Sequence, residues 1–103
     1  MLLLEIAVIG LGYVGLPLSS LLARNFKVLG FDVDKAKIIR INSGVTPINE
    51  PGLHQLLMSA LKTGNLIATD NPTYIKEAKI KIITVGTPYD ENSDFVDRFY
   101  FFD

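Results

Sequence analysis

Cysteine is absent from the 103 residues, and that single absence excludes disulfides, thiolate metal sites and thiol nucleophiles together. Histidine occurs once, as His54. It stands beside Leu53 in a stretch of helical spacing, with no acid or hydroxyl placed to make it a general base, so it reads as a surface helix residue. No group of residues has metal-ligand spacing, and no metal is expected. Neither sign of charge dominates: ten basic against eleven acidic side chains give a net charge of −1. No block of like charge is long enough to follow a phosphate backbone, which argues against nucleic acid as a partner. Long hydrophobic runs are missing as well. The apolar opening at residues 1–4 is broken by Glu5, has no basic flank and stops at Gly10, too short for a secretory signal or a membrane span. It reads as the start of a buried strand, and with no targeting signal the expected location is the cytosol. Repeats and low-complexity segments are absent.

What is present is apolar. Hydrophobic residues make up 49% of the chain, enough for a packed core in one domain. A chain this short buries a smaller fraction of its surface than a larger domain does, so marginal stability or self-association is expected. Short β-branched runs alternate with longer stretches in which apolar residues recur at helical spacing. Residues 5–9 read as a strand buried on both faces. A glycine-rich turn follows, then a helix with Val14, Leu18, Leu21 and Leu22 on one stripe and Pro17 near its first turn. Residues 27–32 form a second strand. Asp34 is placed to cap a helix carrying Ile38, Ile39 and Ile41, which Gly44 ends. Beyond Pro47, Pro51 suits the first position of a helix whose apolar face is Leu53, Leu56, Leu57, Ala60 and Leu61, ended by Gly64. Residues 66–69 are a third strand, Asn71 and Pro72 open a brief helix through Ala78, and residues 80–85 are a fourth strand stopped near Pro88.

Strands alternating with helices require parallel crossovers. The expected fold is therefore α/β, a parallel sheet of order 3-2-1-4 with helices on both faces, half of a doubly wound sheet. Residues 92–103, with Phe95, Phe99, Tyr100, Phe101 and Phe102, show no clean period and stay unassigned, either the start of the next helix or a non-native end.

Gly10, Gly12 and Gly15 spell G-x-G-x-x-G between a strand and a helix. That context turns a weak pattern into a dinucleotide-binding one. Gly10 makes the tight turn, Gly12 lets a pyrophosphate approach and Gly15 lets helix and strand pack closely. Backbone N–H groups at the helix start, with the helix dipole, favour the anion. Asp32 ends the second strand 22 residues after Gly10, near the spacing of about 20 expected for the acid that accepts from the adenosine ribose hydroxyls. With Asp32 and Asp34 close together and no arginine beside them, a 2′-phosphate would be repelled, so NAD is expected over NADP. Asp34 itself reads as a helix cap. Lys37 either reaches the cofactor or is solvated. Thr87, in Val85-Gly86-Thr87-Pro88, either offers its hydroxyl to the cofactor or belongs to a Gly-Thr-Pro strand terminator. Residues 1–91 are thus the N-terminal half of an NAD-binding Rossmann domain.

The stretch I-A-V-I-G-L-G-Y-V-G-L-P-L over residues 6–18 closely resembles the first motif of the UDP-glucose/GDP-mannose dehydrogenase family. F-D-V-D at residues 31–34 with Lys37, P-I-x-E-P-G-L at residues 47–53 and V-G-T-P at residues 85–88 resemble three further motifs of that family, in the same order. The resemblance implies that Gly10, Gly12, Tyr13, Val14 and Gly15 contact the pyrophosphate, Asp32 and Lys37 the adenosine side, and Thr87 the cofactor near the strand end. It also implies oxidation of the C6 alcohol of a nucleotide sugar to a carboxylate in two hydride transfers to NAD, through a thioester on a cysteine. No cysteine is present, and the resemblance places the catalytic residues and sugar-binding domain beyond Asp103. The chain is therefore expected to be a truncated, cofactor-binding segment of a UDP-sugar 6-dehydrogenase with no catalytic residue of its own. The rival expectation is a stand-alone NAD-sensing regulatory module, against which the second pair of motifs speaks. A methyltransferase fits less well, because its glycine loop normally lacks the third glycine at this spacing. A free edge on the fourth strand is expected to drive pairing into a homo-dimer or larger species.

Overall fold

The computed structural model describes residues 4–84 and 100–101 of the chain. Strand β1 (Ile6–Ile9) leads through the glycine turn to α1 (Gly15–Leu22), β2 (Val28–Phe31) and α2 (Lys35–Asn42). Helix α3 (Leu53–Thr63), β3 (Leu66–Thr69), a 3-10 helix (Pro72–Glu77), β4 (Ile80–Ile83) and the two-residue β5 (Tyr100–Phe101) complete the described elements. All strands pair in parallel, in the order β3-β2-β1-β4-β5. The first four take the expected order 3-2-1-4, with β1 central and in register with both neighbours: Ile6 stands opposite Val28 and Ile80, and Ile9 opposite Phe31 and Ile83.

Alternation along each strand divides the core in two. Ile6, Val8, Val28, Leu66 and Ala68 point to one face, where Leu16 and Ala23 of the α1 segment, Ile38 and Ile41 of α2 and Leu53, Leu57 and Ala60 of α3 cover them. Ala7 and Leu29 point to the other face and meet Leu4, Ala78 and the half-buried Ile75 of the 3-10 helix. Both faces carry helical cover, and the three α-helices share one of them. Among the described residues no helix is long and apolar enough to cross a membrane.

Three sequence expectations need correction. The inward face of α1 is Gly15, Leu16, Ser19 and Ser20, whereas Leu21 is exposed and Leu18 and Leu22 are half-buried. The two serines can turn inward because each hydroxyl folds back onto its own helix: Ser19 Oγ donates to the Gly15 carbonyl (2.6 Å) and Ser20 Oγ to that of Leu16 (2.9 Å). Pro51 does not start α3. The Leu53 N–H donates to the Glu50 carbonyl (3.1 Å), and Gly52 takes φ 83°, ψ −13°. Pro51 and Gly52 therefore form a type II turn ahead of the helix. Finally, β4 is not a bare edge, since Tyr100 and Phe101 pair with Ile82 and Ile83. The other caps follow the sequence. Asp34 accepts from the Lys37 N–H (3.1 Å). Gly44, at φ 79°, closes α2 with the Val45 N–H on the Arg40 carbonyl and its own N–H on that of Ile41, a Schellman arrangement.

Candidate dinucleotide site

The strands β1, β2 and β4 all end at one edge of the sheet, and the glycine turn sits on that edge. The Gly10 N–H donates to the Phe31 carbonyl (2.8 Å) and the Thr84 N–H to that of Ile9 (2.8 Å), so the turn is anchored to both neighbours of β1. Gly10 adopts φ 99°, a region that side chains other than hydrogen rarely enter. Leu11 turns its side chain into the core, only 1% exposed, over Gly30, where an added Cβ would stand 3.1 Å from the leucine methyl. That contact explains a glycine in the middle of an otherwise bulky strand.

The two remaining glycines of the motif differ in kind. A Cβ on Gly15 would collide with the Gly10 carbonyl oxygen and Thr84 Oγ1, so Gly15 serves close packing of the helix against the turn. A Cβ on Gly12 would meet none of the described residues within 4 Å. Among the described residues nothing requires a glycine at that position. The space in front of it lies at the start of α1, where the helix dipole favours an anion. Among the described residues, none accepts from the N–H groups of Gly12, Tyr13 or Val14. Tyr13 is 81% exposed above the turn. An open approach beside uncommitted backbone donors is what a pyrophosphate requires, and the residues present fit such a group.

Asp32 occupies the adjoining strand end. Its Oδ2 accepts from the Leu11 N–H (2.9 Å) and from Lys37 Nζ (3.1 Å), and its Oδ1 from the Asp34 N–H (3.0 Å). Burial alone would raise its pKa. The hydrogen bonds from Leu11, Asp34 and Lys37, with the lysine charge, outweigh that effect and hold the carboxyl below its ordinary value of 3.8. The group is therefore an anion throughout the neutral range, fixed next to the glycine turn, with acceptor capacity remaining on Oδ1 for a further hydroxyl donor. Lys37, which from sequence was either a ligand or a solvated charge, is in an ion pair with Asp32, the two side chains 27% and 11% exposed.

Gly10, Gly12, Tyr13, Val14, Gly15, Asp32 and Lys37 thus gather at one edge. Thr87, with the rest of residues 85–88, lies outside the described residues. His54 is exposed in the first turn of α3. No cluster of potential metal ligands occurs among the described residues. One residue at the edge was not singled out from sequence: Thr84, 9% exposed, whose hydroxyl donates to the Gly10 carbonyl (2.5 Å), with the Ile9 carbonyl 3.2 Å away. The available signal was a single hydroxyl closing the apolar run I-K-I-I.

Known proteins resemble the chain in sequence and in fold. Residues 4–100 match the family model for the UDP-glucose/GDP-mannose dehydrogenase family, NAD binding domain. The chain is 45% identical over 85 residues to the UDP-N-acetyl-D-mannosamine dehydrogenase of Methanococcus aeolicus, an alignment covering 82% of this chain and 19% of that protein. A ternary complex of GDP-mannose dehydrogenase from Pseudomonas aeruginosa superposes with a TM-score of 0.77 at 40% identity, covering 88% of this chain and 21% of that one. The UDP-D-ManNAc dehydrogenase of Pyrococcus horikoshii superposes with a TM-score of 0.79 at 36% identity, covering 92% and 24%. The chain spans about a fifth of the length of the relatives it matches.

Proposed function

Because the chain belongs to the UDP-glucose/GDP-mannose dehydrogenase family, through the domain of that family that binds NAD, we propose that it serves as the cofactor-holding part of a nucleotide-sugar 6-dehydrogenase activity. In that reaction a sugar C6 alcohol is oxidised to a carboxylate. The observation that carries the residue assignment is the Asp32 carboxylate held on the Leu11 N–H at 2.9 Å, beside the open face of Gly12. On this reading the backbone of Gly10, Gly12, Tyr13, Val14 and Gly15 receives the pyrophosphate, Asp32 accepts from the adenosine ribose hydroxyls, and Lys37 keeps that carboxylate charged and in place. Thr87 is assigned to the cofactor beyond the end of β4. Bound NAD supplies a hydride acceptor. The chain's own residues supply position and charge for it, and none of them is assigned a catalytic part.

The alternative of a stand-alone NAD-sensing module finds no support, since the relatives matched are dehydrogenases. The 103 residues contain no cysteine, so the thioester route cannot run on them unaided. Part of the same proposal is a cytosolic setting. Another part is self-association along the sheet edge formed by β5 and the start of β4, where Ile80 is 51% exposed.

The test is calorimetric titration of the chain with NAD and with NADP, alongside an absorbance assay for NADH in the presence of UDP- and GDP-sugars. NAD binding, weaker NADP binding and no turnover are expected. Equal affinity for NADP, or steady NADH formation, would overturn the reading. A strictly monomeric light-scattering profile at high concentration would remove the association.

A further inference from the structure

The Gly10–Leu11 peptide is gripped at both ends by side chains from different strands. Its carbonyl accepts from the Thr84 hydroxyl at the end of β4 (2.5 Å), and its N–H donates to Asp32 Oδ2 at the end of β2 (2.9 Å). A peptide unit is planar, so fixing the carbonyl on one side fixes the direction of the N–H on the other. Gly10 at φ 99° has little steric preference of its own, and without a partner for its carbonyl the peptide would be held from the N–H side alone. Gly15 closes the same arrangement from behind, its Cα packed against the Gly10 carbonyl and Thr84 Oγ1. Thr84 also reaches the Ile9 carbonyl (3.2 Å), and its own N–H is held by Ile9 (2.8 Å), so its hydroxyl is itself well fixed.

We infer that Thr84 is a positioning residue for the dinucleotide. Through the Gly10–Leu11 peptide it sets the turn whose following N–H groups, at Gly12, Tyr13 and Val14, face the pyrophosphate. It touches the cofactor nowhere in this account and acts only through that peptide. The inference rests on the cofactor reading above and adds to it a residue on β4 and a route by which β4 and β2 fix the turn together. Asp32 keeps two further holds, the Asp34 N–H and Lys37 Nζ, so loss of the Thr84 hydroxyl is expected to disturb the pyrophosphate side more than the ribose side.

The experiment compares the full chain with Thr84→Val and Thr84→Ser, each first shown by circular dichroism to be folded. Titration uses NAD, ADP and adenosine. For Thr84→Val, NAD and ADP are expected to bind about three- to tenfold more weakly, the effect of losing one hydrogen bond. Adenosine should stay within about twofold, and Thr84→Ser should restore the parent values. Equal NAD affinity in Thr84→Val and the parent would overturn the inference. So would a parallel loss for all three ligands that serine fails to rescue, since that pattern marks general destabilisation. Hydrogen exchange of the Leu11 amide in the ligand-free chain is the second readout: Thr84→Val should lower its protection at least threefold relative to the Ile6–Ile9 amides, and unchanged protection would overturn the inference. A parent chain that binds no NAD would defeat the cofactor reading, while the Leu11 amide would still decide whether Thr84 fixes the turn.

Discussion

Gly15→Ala and Gly12→Ala place the same methyl group three residues apart in one motif, yet the structure assigns them opposite consequences. At position 15 the new Cβ would overlap the Gly10 carbonyl oxygen and Thr84 Oγ1 and lie 2.8 Å from the Gly10 carbonyl carbon. Those atoms have little room to yield, because the Gly10 N–H is bonded to Phe31 at 2.8 Å and its carbonyl to Thr84. Overpacking typically costs about 1–3 kcal/mol, and a clash with tethered backbone belongs near the top of that range. Alanine returns up to about 1 kcal/mol in helix propensity. The net loss is about 2 kcal/mol, which in a domain of this size lowers Tm by about 8–16 °C. At position 12 the methyl meets none of the described residues within 4 Å and the backbone is not in the left-handed region. Stability should therefore stay within about 1 kcal/mol of the parent, while NAD affinity falls because the methyl fills the approach of the pyrophosphate. Thermal melts by circular dichroism and NAD titration of both variants make the comparison. A Gly15→Ala chain melting within about 2 °C of the parent, or a Gly12→Ala chain that keeps full NAD affinity, would refute the reasoning.

Asp34→Ala removes the side chain that accepts from the Lys37 N–H and should cost about 1 kcal/mol in urea unfolding. It keeps the backbone N–H that Asp32 uses, so NAD affinity should hold within about twofold; a larger drop would make Asp34 a ligand rather than a cap. Asp32→Asn tests the charge. Because folding holds the Asp32 carboxyl below 3.8, its contribution to stability is present above that value and is lost as pH falls through the lower, folded pKa. The parent should therefore exceed Asp32→Asn in urea midpoint at pH 7, with the gap closing below about pH 4. A gap independent of pH would contradict this account.

Much of the fold was legible because its signals are local. Each of the first four strands is a short, largely apolar run, and Asp32 and Asp34 are found by position relative to the glycines and to the second helix. The phase of α1 was not legible, because a periodicity reading counts Ser19 and Ser20 as polar, while in the folded chain their hydroxyls are satisfied by Gly15 and Leu16 within the helix. Pro51 misled in a similar way. Proline suits both a first helical position and the second residue of a type II turn, and Gly52 at positive φ decides for the turn. The covering of β4 by Tyr100–Phe101 depends on two segments separated by many residues, and two-residue pairing leaves no period in the sequence. Thr84 was invisible for the same reason: its partner carbonyls lie 74 and 75 residues away.

The ion pair between Lys37 and Asp32 bears on why the site should prefer NAD. A lysine near the ribose-binding acid suggests, taken alone, a place for a 2′-phosphate. Here the ammonium is 3.1 Å from Asp32 Oδ2, and its charge is already engaged by the carboxylate. A phosphate brought to the ribose 2′ position would have to compete with Asp32 for that lysine and approach a carboxylate held ionised by three hydrogen bonds. On the proposed reading, the ribose hydroxyl of NAD would meet the same carboxylate as a donor, and the lysine would strengthen the arrangement by keeping the acceptor charged. Position and partner, more than the presence of a basic residue in the sequence, would then set the choice of cofactor.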